Sequence, residues 1–420
     1  MKNLKTRLAL MNFLEFAVWG AYLTCMGRYL GNIGVGTEIG YFYSMQGVVS
    51  IFMPAVIGIV ADRWIPAQKM LGICHLVAAV FMILTAWYGA TAEGGVDFAT
   101  IFSLYSLSVA FYMPTIALSN SVAYTALRQA GMDTVKDFPP IRVFGTVGFI
   151  LTMWFVDIMG FQTNHWQFVT SAVIGIVLFL YSFTLPQCPV AKGDEHRSLS
   201  EAFGLQAFTL FRQKQMALFF IFSMLLGISL QITNGYANPF ISSFASEPEF
   251  ADTFGVQHAN ILISLSQISE TLCILLIPFC MKRFGIKNVM LISMLAWVLR
   301  FGLFSVGDPG SGVWMFILSM IVYGVAFDFF NVSGSLFVDQ NTAPEIRSSA
   351  QGLFMLMTNG IGGTIGVIAA QQIINAYTHG MKIGDQFYTV GEWSTCWFIF
   401  SAYALVVGLV FALVFHPQKQ

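Results

Sequence analysis

The sequence predicts an all-α membrane protein of twelve transmembrane helices in two six-helix halves. Three observations carry that reading: the scarcity of charge, the length of the apolar runs and the placement of the basic residues. Of 420 residues, 56% are hydrophobic and only 10% are Asp, Glu, Lys or Arg, where an ordinary soluble domain has about 25% charged residues. A water-facing surface on so long a chain needs more charge than this; a lipid-facing surface does not. Mean hydropathy is +0.72. The net charge of −1 and the lack of any basic block argue against nucleic acid as a partner and leave lipid as the main surroundings.

A helix needs about 20 apolar residues to cross the hydrocarbon. The runs place spans near 8–30, 40–61, 70–90, 99–126, 141–160, 166–185, 216–240, 259–281, 287–306, 313–338, 348–376 and 394–415. Lys2, Lys5 and Arg7 precede the first run, Leu8 to Leu30. That run exceeds the roughly 7–15 apolar residues of a cleavable signal, so it is read as an uncleaved span.

Twelve spans put both termini on one side. The N-terminus and the even-numbered loops then hold Lys2, Lys5, Arg7, Arg63, Lys69, Arg128, Lys136, Arg142, Lys192, Arg197, Arg212, Lys214, Lys282, Arg283, Lys287 and Arg347, and the tail adds Lys419. Only Arg28, Arg300 and Lys382 fall on the other side. Basic loops stay inside, so both termini are expected in the cytoplasm, with the chain in a bacterial inner membrane. A span miscounted by one would scramble this asymmetry.

The longest polar stretch, Gln187 to Lys214, sits at the midpoint. It divides the chain into a bundle at 1–186, a cytoplasmic linker at 187–214 and a bundle at 215–420. The halves echo each other: IGIVADRWIPAQKML (57–71) and IPFCMKRFGIKNVML (277–291) each join the second to the third span of their half. Ile141-Arg142 opens the fifth span, as Ile346-Arg347 precedes the eleventh. Parallel six-helix repeats mark the major facilitator architecture. Its cytoplasmic signature loop is matched by Gly58-Ile-Val-Ala-Asp62-Arg63 and then Lys69, with Trp64-Ile-Pro-Ala-Gln68 as the departure. Gly58 allows close helix approach. Asp62 and Arg63 are expected to latch one conformation.

A charge inside a span costs several kcal/mol, so each is a functional candidate. They are Glu15, His75, Asp157, Glu270, Arg300 and Asp328, with Arg142 at a span edge. Asp328 lies mid-span in VYGVAFDFFNVSG. A carboxyl group in low dielectric favours its neutral form, which suits it to proton exchange. Tyr323, Phe327 and Asn331 share one stripe of that helix at i, i+4, i+8. Aromatic faces of this kind stack on planar rings or simply pack. Gln267 and Glu270, and Gln231 and Asn234, are i, i+3 pairs on spans eight and seven. Four such groups at similar depth suggest a polar cavity able to grip vicinal hydroxyls or base edges; interhelical hydrogen bonding is the alternative. Arg142, Thr146 and Phe149 share a face of span five after Asp137-Phe-Pro139-Pro140. There Arg142 is a pocket residue or a snorkelling anchor. Glu15, Arg28 and Arg300 are possible charge partners for one another or for Asp328. His75 and Asp157 read as structural.

Cys25, Cys74, Cys188, Cys273, Cys280 and Cys396 form no C-x-x-C pair, and the six histidines show no metal spacing. No nucleophile–base constellation is visible, so neither catalysis nor a metal site is expected. No cofactor is expected beyond a proton as coupling ion. Within transport, hydroxyl-binding cavities with aromatics look alike for nucleosides and for the substrates of a sugar or oligosaccharide symporter, and the residues by themselves do not separate the two. The carrier is expected to act as a monomer.

The segments DFPPIR (137–142), GTVGFI (145–150), LQITN (230–234), SQISETL (266–272), RFGIKNVM (283–290), SMIVYGVAFDFFNVSGS (319–335), IRSSAQGLF (346–354) and MTNG (357–360) resemble the nucleoside:proton symporter family of enterobacterial permeases. The likeness covers essentially the whole chain. It implies import of nucleosides with protons by alternating access. It also implies a nucleoside pocket from Arg142, Thr146 and Phe149 of the first half with Gln231, Asn234, Gln267, Glu270, Tyr323 and Phe327 of the second. Asp328 is implied as the proton-coupling residue, with Glu270 second. One tension remains: the pocket role needs Arg142 deeper than the span edge.

Overall fold

The computed structural model describes residues 3–92, 95–189, 205–343 and 346–416. In the first half, α1 (Leu4–Gly20), α2 (Met26–Asn32), α3 (Ile39–Arg63), α4 (Ala67–Thr91), α5 (Phe98–Gln129), α6 (Thr134–Ile158) and α7 (Trp166–Ser182) follow in order. In the second, α8 (Lys214–Leu230), α9 (Ile232–Ser243), α10 (Ala259–Ile274), α11 (Ile277–Val306), α12 (Val313–Gln340), α13 (Arg347–Met355), α14 (Gly363–Tyr377) and α15 (Trp393–Val414) do so. An antiparallel hairpin, β1 (Thr378–Ile383) with β2 (Gln386–Gly391), joins the last two.

The chain forms two compact units. The first comprises Met1–Val35 and Val48–His196; the second comprises Gly36–Gly47 and Arg197–Gln420. The opening turns of α3 thus pack with the second unit. A polar knot holds them there. Gln371 Oε1 accepts from Gly40 N and from the Tyr236 hydroxyl, both at 2.7 Å. Gln371 Nε2 donates to Asn375 Oδ1 at 2.7 Å, and Asn375 Nδ2 to Thr37 O at 3.0 Å. Of the expected linker, 190–204 lie outside the described residues; Leu205–Arg212 is a 3₁₀ helix that buries Ala207 and Leu210.

In the first unit, α1 and α6 cross in backbone contact. A methyl on Gly148 would strike Phe13 O, and one on Gly20 would strike Phe149 O. Small residues let helices approach where lipid offers no hydrophobic drive.

Several spans differ from the apolar runs. Span one breaks after Gly20, where the Trp19 carbonyl accepts from both Tyr22 N at 3.3 Å and Leu23 N at 3.0 Å, so the chain tightens with no polar residue to announce it. Span five begins at Thr134 rather than 141. Its added turns are anchored by Lys5 Nζ on Asp137 at 2.6 Å and by Phe138 packed on Tyr124 with centroids 4.5 Å apart. Pro139 and Pro140 therefore lie inside the helix rather than opening it. Span seven breaks at Gln231, between α8 and α9. The loop expected between spans eight and nine is a corner at Gly285, whose φ of 75° and ψ of 165° suit glycine alone. Span eleven carries a π-helical turn, Leu356–Gly362, between α13 and α14. The hairpin before α15 was not expected, although its Gly384-Asp385 turn, with Gly384 at φ 62°, is a known two-residue hairpin signal.

Candidate functional site

Glu15 sits in the middle of α1 with no exposure. Its Oε2 meets His75 Nε2 at 2.8 Å, both side chains fully buried. Its other oxygen accepts from Thr115 Oγ1, and the Tyr112 hydroxyl donates to its backbone carbonyl at 3.0 Å. Tyr112 also sets its ring edge-on to His75 with centroids 5.8 Å apart. Glu15 is therefore paired within its own unit, with the histidine that the sequence marked as merely structural. Neither Arg28 nor Arg300 is its partner in the described ion pairs. Thr115 and Tyr112 were not foreseen; the one signal was Pro114, which interrupts the hydrogen bonding of α5 beside them.

Arg142 lies more than two turns inside α6. Its guanidinium stacks over the Phe16 ring at 3.8 Å. Phe149, two turns on, is buried and meets Trp19 edge-on at 6.2 Å, while Trp19 contacts Tyr112 at 6.1 Å. Thr146 is half-buried between them along the helix. Gly58 lies in α3; the Asp62 and Arg63 side chains are outside the described residues.

In the second unit Asp328 is 4% exposed, and its Oδ2 is buried with no hydrogen-bond partner among the described residues. Glu270 lies within electrostatic range of it, so the structure brings these two carboxyl groups together from α10 and α12. Gln267 and Glu270 are both half-buried on one face of α10. Gln231 stands at the α8–α9 break, and its Oε1 accepts from Asn234 Nδ2 at 3.0 Å. Tyr323 and Phe327 stack with centroids 5.6 Å apart and planes 14° from parallel. Trp297 meets Tyr323 edge-on at 6.0 Å. Close packing of α10 on α12 comes from Gly324, where an added methyl would lie 2.6 Å from Ser269 O.

Two features of this unit were not legible beforehand. Arg300, 1% exposed, donates to Ser319 O at 2.7 Å rather than to a carboxylate. The π-helical turn falls on Met357-Thr-Asn-Gly360, next to α8. There Gly227 abuts Thr358 O and Gly366 abuts Ile228 O too tightly for any side chain. Single π turns inside helices often accompany functional positions.

All residues from 1 to 420 match the family model described as Nucleoside H+ symporter. The chain is 46% identical to the nucleoside permease NupG of Escherichia coli (strain K12) over 416 residues, 98% of this chain and 96% of that protein. It is 45% identical to the xanthosine permease of the same strain over 425 residues, 99% and 98% of the two chains. The crystal structure of the nucleoside transporter NupG matches with a TM-score of 0.88 at 45% identity, covering 99% of this chain and 100% of that one. The xylose transporter XylE from E. coli, at 13% identity and a TM-score of 0.62 over 99% and 100% of the chains, shares the fold alone. The twelve-helix major facilitator fold stands, and the chain is a transporter rather than an enzyme. With a family match over its full length and multiple apolar helices, this multi-pass inner-membrane protein belongs to the nucleoside H+ symporter family.

Proposed function

We propose that this carrier imports nucleosides with protons and that Asp328 is the group whose protonation drives the cycle. The observation that supports this reading is the buried, unpartnered Oδ2 of Asp328 beside Glu270. Two carboxyl groups in one low-dielectric site repel each other when both are ionised, and a proton bound to one relieves that repulsion. A proton from the periplasm would load Asp328, with Glu270 as the second acceptor. Outward and inward states of the carrier then differ in how readily that proton leaves. The full-length family match favours a nucleoside over the sugar or oligosaccharide alternative.

In the second unit, Gln231, Asn234, Gln267 and Glu270 are the groups suited to ribose hydroxyls and base edges. Tyr323 and Phe327, stacked on each other, are the aromatic pair suited to the base. In the first unit, Arg142, Thr146 and Phe149 are the corresponding binding group. Both termini are placed in the cytoplasm by the basic loops, and the carrier works as a monomer.

A neutral nucleoside moving with one proton carries one charge inward. At roughly 100 mV this contributes about 2.3 kcal/mol, and a tenfold proton gradient adds about 1.4 kcal/mol. Together they support accumulation on the order of 500-fold. The test is uptake into proteoliposomes with and without an imposed pH gradient, using a nucleoside panel and a disaccharide as competitors. Asp328→Asn is expected to abolish uphill uptake while nucleoside binding and counterflow persist. Undiminished accumulation in that variant clears Asp328 of coupling.

A further inference from the structure

Arg300 is a whole guanidinium buried in the second unit at 1% exposure. Its Nη1 donates to Ser319 O at 2.7 Å, and Ser319 Oγ returns a hydrogen bond to Arg300 O at 3.0 Å. This reciprocal pair fixes α11 against α12 about one turn before Tyr323. The Nε of Arg300 finds no hydrogen-bond acceptor among the described residues. The guanidinium carbon stands 4.6 Å from the Tyr323 ring centroid and 5.2 Å from that of Phe304. Burying a guanidinium without a carboxylate is costly, and aromatic faces compensate only part of that cost. A merely structural strut between α11 and α12 would be served by an uncharged side chain.

The Tyr323 ring is the link to the site. It lies within electrostatic range of Arg300, Glu270 and Asp328 together. Phe327 and Trp297 brace it from two other directions. The phenol is therefore held rigidly with a cation against its ring and two carboxyl groups nearby. A cation over an aromatic face draws electron density from the ring and makes its hydroxyl a stronger hydrogen-bond donor. In a buried site that effect is little screened.

We propose that Arg300 is a positioning residue for substrate recognition: it fixes the Tyr323 ring and sharpens its hydroxyl as a donor toward an acceptor atom of the bound nucleoside, a base carbonyl or ring nitrogen. This rests on the reading of Tyr323 as a nucleoside-binding residue. Arg300 itself touches no substrate. Its contribution passes through the Tyr323 hydroxyl and vanishes when that hydroxyl is removed.

The experiment is a double-substitution cycle on the full-length protein in detergent, measuring equilibrium binding of labelled uridine, with thermal melting as the check on folding. Arg300→Met is expected to weaken uridine binding about tenfold, the scale of one buried cation–π contact. Arg300→Lys, which keeps the cation, should recover most of the loss. In a Tyr323→Phe background both changes should have less than about a twofold effect, because coupled groups do not add. Equal weakening in both backgrounds, or none in either, overturns the proposal. Should Arg300→Met fail to give a folded protein, the Arg300→Lys pair decides: a loss of about twofold to threefold that disappears with Tyr323→Phe supports it, and a loss unchanged by Tyr323→Phe overturns it. Tyr323→Phe alone separates the two readings. Unaltered uridine binding in that variant removes Tyr323 from the site and the proposal with it, whereas weakened binding with a silent Arg300→Met sinks the role of Arg300 alone.

Discussion

Each unit buries a carboxyl group in its helices, and the two carboxyl groups are partnered differently. In the first, Glu15 is saturated: His75 and Thr115 take its two oxygens and Tyr112 its carbonyl. In the second, Asp328 Oδ2 and Arg300 Nε go unpaired among the described residues. A saturated buried carboxylate is a fixed part of the packing. An unsaturated one pays for its burial only if something transient, such as a proton, completes it. The contrast suits the Asp328 carboxyl to proton exchange and the Glu15 carboxyl to bracing, although His75 Nδ1 beside Glu15 also lacks a partner among the described residues.

The largest effect expected of any stability test lies in the first unit. His75→Leu leaves the buried Glu15 carboxyl without its hydrogen-bond partner, at about 1–3 kcal/mol and more where the group is charged. Thermal melting in detergent should show a steep fall, while the proton coupling of whatever protein survives stays intact. Asp328→Asn should do the reverse, sparing the melt and removing coupling. If His75→Leu melts like the wild type, the contrast between the units is gone.

A second-unit group that is saturated should behave like Glu15. Gln371→Leu leaves Gly40 N and the Tyr236 hydroxyl without their acceptor, at about 1–3 kcal/mol for each unsatisfied group. A lowered melting temperature with unchanged uridine affinity is the expected pair of readings. Loss of affinity without loss of stability would move Gln371 from the scaffold to the site.

The smallest effect belongs to a carboxylate in water. Asp97 caps the start of α5, accepting from Thr100 N at 2.9 Å and Thr100 Oγ1 at 2.7 Å. The Thr100 hydroxyl, then its backbone N–H, hold the Asp97 carboxyl below the usual carboxylate range. A depressed folded-state value means that the stabilisation is present above the unfolded carboxylate pKa and is lost as pH falls through the folded value. Asp97→Ala should lower the melting temperature slightly near neutrality and converge with the wild type in strong acid. A difference that widens on acidification would contradict the cap.

The candidate site residues stand out in the sequence because polarity is rare in this chain. Asp328, Glu270, Gln267, Gln231 and Asn234 stand out where nearly every neighbour is apolar, and i, i+3 spacing sorted them by helix face. The partners of Glu15 were not visible. Thr115 and Tyr112 are common in membrane helices, and nothing local says that residues roughly a hundred positions away close on one carboxylate. The start of α6 was missed for a related reason. Hydropathy ends a span where water-compatible residues begin, but α6 continues to Thr134, and its first turns carry Asp137 paired with Lys5 of another helix.

By itself, the sequence determined the lipid environment, the twelve spans and the family. Those follow from composition, run length and motifs, all of which are local or additive along the chain. Tertiary structure decided which buried groups are satisfied, that span one breaks after Gly20 without a polar marker, that span eleven turns π-helical at Leu356–Gly362, and that Tyr323 lies against both Arg300 and Phe327. Hydrogen bonds and ring contacts depend on distances of a few ångströms between segments far apart in the chain, and only packing sets those distances.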